Sequence, residues 1–209
     1  MGGRVEVFYD IVCPYAYLGT SQIEALAQRT GASVVWKPFL LGGVFRAIGA
    51  ADDPNRAMPA AKANHNQRDM VRWAEHFGMP LVAHPAHPRR TVLALRSLLA
   101  AGEPAFAAAT RALYAAYWGR GEDIEDPAVI ARALEGAGLD GEGCVARASD
   151  EAIKAELRER TDEAVARGVF GAPTFVVGGE LFWGQDRLHF VEAALRGIPL
   201  REAAALVDP

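Results

Sequence analysis

Hydrophobic and polar residues alternate near both ends of the chain, whereas the middle follows a helical period. Residues 5–10 alternate and are rich in β-forming side chains, which predicts a strand. Pro14 suits the first turn of a helix, and the helical spacing of apolar residues beyond it ends at Gly31. Residues 34–36 predict a second strand, so the chain opens as a strand–helix–strand unit with parallel strands and a right-handed crossover.

The middle of the chain, from about Val44 to Gly168, carries no convincing strand pattern. Apolar residues recur there at helical spacing, in segments separated by Gly, Pro and Asp. Five helices are predicted in succession: 57–77, 91–101, one from 103, one from 126 and 149–167. A run of helices this long without strands indicates an all-helical module.

The carboxyl-terminal part returns to β character. Residues 174–177 and 180–183 predict two short strands, because the Gly178-Gly179 pair between them is typical of a hairpin turn. An amphipathic helix is predicted over 187–196. The predicted units are therefore a sheet-containing domain, 1–43 and 169–209, and an inserted helical domain, 44–168.

Composition narrows the possible functions. A chain of 209 residues with 51% hydrophobic and 23% charged residues can bury a sizeable core. Its net charge of −4 lacks the basic excess that nucleic-acid binding usually needs. No apolar run approaches the ~20 residues of a membrane span, and the amino terminus has no long apolar segment of the secretory type. We expect a cytoplasmic protein with neither nucleic acid nor membrane as a partner.

Cys13 stands between the first predicted strand and the proline that starts the helix. The unpaired N–H groups and the positive dipole end of a helix favour a thiolate, so we expect a lowered pKa. The alternative is a buried cysteine that acts as a small hydrophobic residue. Cys144 has no comparable setting, and we take both cysteines as free thiols.

Pro173 stands immediately before a predicted strand, where a cis X–Pro bond would turn the backbone without losing a ladder hydrogen bond. Together with a strand–helix–strand opening and an exposed Cys13, it indicates a thioredoxin-like arrangement. In such folds the backbone beside the cis-proline lies opposite the reactive residue and pairs with an extended cysteinyl peptide.

Four segments resemble those of the 2-hydroxychromene-2-carboxylate isomerases, relatives of the kappa-class glutathione transferases in the DsbA-like branch of the thioredoxin superfamily. They are FYDIVCPYAY (8–17), FLLG (39–42), GVFGAPTF (168–175) and LFWGQDR (181–187). The resemblance covers nearly the whole chain and implies an α/β, thioredoxin-like (DsbA-like) fold with a large all-helical insertion. It also implies glutathione as cofactor, a homodimer, and glutathione-dependent cis–trans isomerisation of an unsaturated aromatic keto acid in aromatic catabolism.

The resemblance assigns roles by position. Cys13 takes the place of the catalytic serine that supports the glutathione sulfur, and Ala172 and Pro173 would pair with the glutathione backbone. The γ-glutamyl end would be held by Trp183, Gly184, Gln185 and Asp186. The substrate pocket would be lined by Val44, Phe45, Asn55 and His87.

Two physical arguments accompany these assignments. A helix that starts directly after Asp186 would offer N–H groups to a carboxylate, and the Asp186 side chain can pair with an ammonium group. Lys62, one of three lysines, is a candidate cation for glutathione or an anionic substrate, with a solvated helix-face lysine as the alternative. His84 and His87 are separated by proline, so we expect no metal site there.

Cysteine at position 13 departs from the serine usual in these isomerases. A thiol is a weaker hydrogen-bond donor than a hydroxyl, and it can form a mixed disulfide with glutathione. Ala16 stands where dithiol relatives carry a second cysteine, which disfavours dithiol cycling. The alternatives are a DsbA-like monothiol, glutathione-linked thiol–disulfide oxidoreductase, a kappa-type glutathione transferase, and a non-catalytic protein that binds a small ligand.

Overall fold

The two ends of the chain share one sheet in the computed structural model, which describes residues 3–50 and 58–198. Its strands, in the spatial order β2-β1-β3-β4, are β1 (Arg4–Tyr9), β2 (Ser33–Pro38), β3 (Thr174–Val177) and β4 (Glu180–Trp183). β1 runs parallel to β2, whereas β3 is antiparallel to both β1 and β4. The predicted strand–helix–strand opening and carboxyl-terminal hairpin are both confirmed.

The described residues also form nine α-helices. These are α1 (Pro14–Thr30), α2 (Leu41–Ala47), α3 (Ala60–His76), α4 (Val92–Ala101), α5 (Phe106–Tyr114), α6 (Pro127–Gly136), α7 (Gly141–Arg147), α8 (Glu151–Ala166) and α9 (Leu188–Leu195). Single 3₁₀ turns precede α5 (Glu103–Ala105) and α9 (Gln185–Arg187), and a π-helical turn (Ala115–Gly119) follows α5.

The five helices predicted for the middle of the chain all form, with bounds moved by a few residues. Asp126 caps α6 as its position before proline suggests, because its carboxylate accepts the Ala128 N–H at 2.8 Å. The prediction missed α2 and α7, which have seven residues each and are too short for a helical period to stand out. As predicted, 44–168 contains no strand within its described part.

The sheet is covered on both faces. α1 and α9 lie against β1 and against each other. Glu6 and Phe8 point to one face of β1, and both contact the Arg167 guanidinium just beyond α8. Phe8 and Tyr9 have no exposed surface, so the first strand ends inside the core with Cys13 four residues further on.

Within the described part of the chain, no single helix is long and apolar enough to cross a membrane. The helices 92–101 and 103–119 reach that length and composition only as a pair, and they meet at a bend of 110°.

Candidate active site

Cys13 is the N-cap residue of α1, and its N–H donates to the Asp10 carbonyl at 3.1 Å. The turn from Asp10 to Cys13 therefore leads directly from the end of β1 into the helix. The Cys13 side chain is only 8% exposed, so the expectation of an exposed cysteine is wrong.

The Cys13 thiol lies against the backbone that precedes Pro173. Its Sγ is 3.0 Å from the Ala172 carbonyl oxygen, to which the S–H donates. Burial raises the pKa of Cys13 to about 12, although hydrogen bonds from the backbone N–H groups of Ala16 and Tyr15 act in the opposite direction. The predicted lowering of this pKa is wrong, because desolvation outweighs the stabilisation of a thiolate by the helix N-terminus.

Three side chains from distant parts of the chain hold the Cys13 turn. The Tyr114 hydroxyl donates to the Asp10 carbonyl at 3.0 Å, and the Trp118 indole N–H donates to the Ile11 carbonyl at 2.9 Å. The Thr91 hydroxyl donates to the Asp10 carboxyl group at 2.7 Å. All three residues come from the helical part of the chain, so that part completes the site.

The Ala172–Pro173 peptide bond is cis, and the Pro173 carbonyl accepts the Gly184 N–H at 2.9 Å. α1 approaches this segment closely at Gly19. A β-carbon at position 19 would lie 3.1 Å from Pro173 Cγ and 3.3 Å from Gln185 Cβ. Cys13, Pro173 and Gln185, which are far apart in sequence, are thus brought together around the start of α1.

Trp183 and Asp186 reach the surface beside Pro173, whereas Gln185 between them is buried. The Trp183 side chain is 52% exposed, and its ring centroid is 5.2 Å from that of Phe170. Gly184 has φ +109°, and a β-carbon there would lie 2.5 Å from Asp186 Oδ1, so only glycine fits under the carboxylate. The other Asp186 oxygen forms an ion pair with Arg187.

The helix predicted to start directly after Asp186 forms, with its first residue one position later than predicted. Asp186 lies inside the 3₁₀ turn Gln185–Arg187, and α9 begins at Leu188.

A concave pocket of about 240 Å³ opens next to Asp186, between α1, α3 and α9. Gln185 and Asp186 line one side of it, and the aromatic rings of Trp73 and Phe77 line another. A larger concavity, of about 500 Å³, lies between α5 and α6, and none of the predicted site residues lines it. Of these two concavities, the one beside Asp186 is lined by predicted site residues, namely Gln185 and Asp186.

Tyr15 lies near both the Cys13 thiol and the carboxylates of Asp69 and Asp186. The pKa of Tyr15 is raised to about 12, mainly by burial and to a smaller extent by the nearby Asp69, Cys13 and Asp186. Asp69, on α3, was not singled out from the sequence, where it is one of many charged residues on an exposed helix. Two carboxylates, each with an arginine partner, therefore lie near the Tyr15 hydroxyl.

Four other predicted residues lie on α2, on α3 and in the segment before α4. Lys62 is exposed on α3, Phe45 is half-buried, and Val44 has no exposed surface, so it offers none to a ligand in this conformation. His87 Nδ1 is 2.7 Å from the Tyr117 hydroxyl, and its ring packs on Trp118 at 4.9 Å. Asn55 lies outside the described residues. Their roles toward the substrate stay predictions.

No group of three His, Cys, Asp or Glu side chains arranged to hold a metal ion occurs within 3–50 and 58–198. The His87–Pro88 peptide bond is also cis, which the sequence did not reveal.

Known proteins of one family match this chain along almost its whole length. A family model described as a DSBA-like thioredoxin domain matches residues 4–196. The 2-hydroxychromene-2-carboxylate isomerase of Sphingobium xenophagum is 31% identical over 195 residues, with 93% of this chain and 99% of that protein covered. Human glutathione S-transferase kappa 1 is 27% identical, with 90% and 88% covered. A solved structure of a 2-hydroxychromene-2-carboxylate isomerase superimposes with a TM-score of 0.83 at 30% identity, with 92% and 94% covered.

Proposed function

Because the chain belongs to the DsbA-like thioredoxin family, we propose that it is a glutathione-dependent cis–trans isomerase of 2-hydroxychromene-2-carboxylate or a similar unsaturated aromatic keto acid. Relatives named for that isomerase match it at 31% identity over more than nine-tenths of its length, which supports an isomerase. The observation that carries the proposal is the hydrogen bond from the Cys13 thiol to the Ala172 carbonyl beside Pro173.

The residues around Cys13 fit glutathione. The Ala172 N–H donates to no group within the described part of the chain, although Ala172 is only 7% exposed. A carbonyl group of an extended, peptide-like ligand can accept that hydrogen bond. In thioredoxin-like folds, the backbone beside the cis-proline pairs with cysteinyl peptides in this way. The Asp186 carboxylate, with a partly exposed side chain, and the exposed Trp183 ring would hold the ammonium-bearing γ-glutamyl end. Glutathione S-transferase kappa 1, a relative at 27% identity, supports the same cofactor.

The chemistry divides between cofactor and protein. Bound glutathione would supply a thiol sulfur whose reversible addition to a conjugated double bond permits rotation about that bond. Cys13, with a pKa of about 12, stays protonated at neutral pH. Its single S–H, which donates to the Ala172 carbonyl in this structure, would turn toward the glutathione sulfur and donate to it. A donor fixed beside a sulfur anion stabilises that anion, and burial of the thiol keeps water from competing for the interaction.

The test is to follow the isomerisation of 2-hydroxychromene-2-carboxylate by absorbance, with and without glutathione. We expect turnover only when glutathione is present. Equal turnover with and without glutathione would disprove the assignment of glutathione as cofactor. No turnover in either case would disprove the assignment of this substrate. S-methylglutathione is the matched control, because it keeps the peptide backbone and removes the reactive thiol.

A monothiol oxidoreductase is the second candidate, favoured by cysteine at a position where the named isomerases usually carry serine. It needs a thiolate on Cys13, whereas burial raises the pKa of that thiol to about 12. Reduction of a glutathionylated peptide, measured for the wild type and Cys13→Ser, separates the two functions. We expect isomerase activity to survive this substitution and oxidoreductase activity to be lost.

Conjugation of glutathione to an aryl halide, measured alongside, tests for a kappa-type transferase.

A further inference from the structure

Asp10 is a fully buried carboxyl group at the end of β1, three residues before Cys13. Its Oδ1 accepts the Thr91 hydroxyl at 2.7 Å and the Val12 N–H at 3.2 Å. Its Oδ2 accepts the Leu41 N–H at 2.8 Å. A buried carboxyl group is costly unless its oxygens are hydrogen-bonded, and each oxygen of Asp10 has a partner.

The partners of Asp10 come from three different elements. Leu41 is the first residue of α2, and Thr91 is the N-cap residue of α4. Val12 lies in the turn that carries Cys13. One carboxyl group therefore connects the starts of two helices with the turn between β1 and α1, and neither helix start is capped by a side chain of its own.

The backbone of Asp10 belongs to the same arrangement. Its carbonyl accepts both the Cys13 N–H and the Tyr114 hydroxyl, so the residue fixes the turn from both its side chain and its main chain. At the other end of the turn, the Cys13 thiol is held on the Ala172 carbonyl. A shift of the turn away from Pro173 would lengthen this 3.0 Å contact.

We propose that Asp10 is a positioning residue: by binding α2 and α4 through its carboxyl group, it holds the turn so that the Cys13 thiol stays buried on the Ala172 carbonyl. Its effect on turnover rests on the proposed function, whereas its effect on the thiol does not. The helical part of the chain thus acts on the reactive position through this carboxyl group, in addition to the hydrogen bonds of Tyr114 and Trp118 to the backbone of the turn.

Two variants on α4 test the proposal without removing the carboxyl group. Thr91→Val replaces the hydroxyl with a methyl group of similar size, and Thr91→Ser restores the hydroxyl. Ser97→Ala is the matched control, because the Ser97 hydroxyl is equally buried on α4 and has no hydrogen-bond partner in the described structure. Asp10→Asn, which keeps the shape and weakens the acceptor for the Leu41 N–H, completes the set.

The measurement is the rate of Cys13 alkylation by iodoacetamide as a function of pH, with the modified site located by mass spectrometry. The titratable groups that face Cys13 are Asp10, Tyr15 and Tyr114, and the pKa values of both tyrosines are raised, so neither titrates between pH 7 and 9. We expect Thr91→Val and Asp10→Asn to react about tenfold faster at pH 8, which is the effect of a thiol pKa lower by about one unit. Thr91→Ser and Ser97→Ala should react as the wild type does.

A purely structural role predicts a different result. If Thr91→Val and Asp10→Asn lower the melting temperature and leave the alkylation profile unchanged, the proposal is overturned. The isomerase assay adds a second measurement, in which we expect a lower kcat at an unchanged KM for glutathione. If the alkylation profile moves and the wild type has no isomerase activity, the proposed function fails and the role of Asp10 stands.

Discussion

The two sides of the candidate site are built in opposite ways. On one side, the turn at Cys13 is buried, and the carbonyl groups of Asp10 and Ile11 accept hydrogen bonds from Tyr114 and Trp118. On the other side, the segment around Trp183 and Asp186 is exposed. The buried side is fixed by the protein itself, and the exposed side keeps its surface for a ligand.

This difference suits the division of tasks proposed for the site. A group that must lie within hydrogen-bond distance of a reacting sulfur gains from being fixed before the ligand arrives. A surface that binds the polar end of a flexible peptide gains from accessible charged groups, such as the Asp186 carboxylate that now pairs with Arg187. The comparison therefore predicts that substitutions on the buried side change the rate or the stability, and that those on the exposed side change the affinity.

The largest effect is expected at Cys13. Cys13→Ala removes the donor beside the proposed cofactor sulfur and should lower kcat for glutathione-dependent isomerisation about a hundredfold, the usual cost of losing one such donor. Cys13→Ser keeps a donor at the same place and should turn over at least as fast as the wild type. The absorbance assay measures both. Equal rates for alanine and serine variants would show that this side of the site takes no part in the reaction.

Trp118→Phe tests how firmly the buried side is held. The substitution leaves the buried Ile11 carbonyl without the indole N–H, which should cost about 1–3 kcal/mol of unfolding free energy. Urea unfolding measures this loss. Trp73→Phe is the control, because Trp73 is half-buried on α3 and its indole forms no hydrogen bond within the described residues. An equally large loss of unfolding free energy in Trp73→Phe would show that the smaller ring, and not the lost hydrogen bond, causes the effect.

Local features of the fold could be predicted from the sequence because their signals are local. Pro14 begins α1, and Gly31 ends it with φ +68°. Gly178 and Gly179, with φ +60° and +93°, form the turn between β3 and β4. Each of these glycines adopts a left-handed conformation that other residues rarely enter, so the residue type alone locates the turn.

The environment of Cys13 could not be predicted because it depends on distant residues. Thr91 and Trp118 reach the turn from 81 and 107 residues further along the chain. The sequence shows the proline and the helix start, which favour a thiolate, but not the packing that buries the sulfur. The role of Asp10 was missed for the same reason, since a polar residue after a strand is also typical of an exposed turn.

Asp186→Asn tests the exposed side. Loss of the carboxylate should weaken glutathione binding about tenfold, or about 1.4 kcal/mol, because the proposed ammonium partner is lost. Calorimetric titration measures the affinity, and the unfolding free energy should stay within about 0.5 kcal/mol of the wild type.

Arg187→Gln tests the same ion pair from its other partner. It removes the cation that now pairs with Asp186, so it should leave the affinity unchanged or increase it. An unchanged affinity of Asp186→Asn for glutathione would disprove binding of the γ-glutamyl end by this segment.

The smallest effect is expected at Glu192, whose carboxylate joins α9 to α1 beside the exposed segment. It accepts from Arg29 Nε at 2.8 Å and from Arg196 at 2.7 Å, and these guanidinium groups lower its pKa to about 2. Because the folded-state pKa lies below the unfolded value of about 4.5, the ion pairs stabilise the fold above pH 4.5 and lose this effect as the pH falls toward 2.

Glu192→Gln should therefore lower the unfolding free energy by less than about 1 kcal/mol at pH 7, as expected for pairs at the surface, with a difference from the wild type that shrinks by pH 3. Urea unfolding at the two pH values measures this difference. Glu180→Gln is the control, because Glu180 is exposed on β4 and forms no ion pair with any described residue. A loss at pH 7 as large as that of Trp118→Phe would contradict the comparison, since the exposed side would then be held as firmly as the buried one. A loss that persists unchanged to pH 3 would show that packing of the Glu192 side chain, and not its charge, joins the two helices.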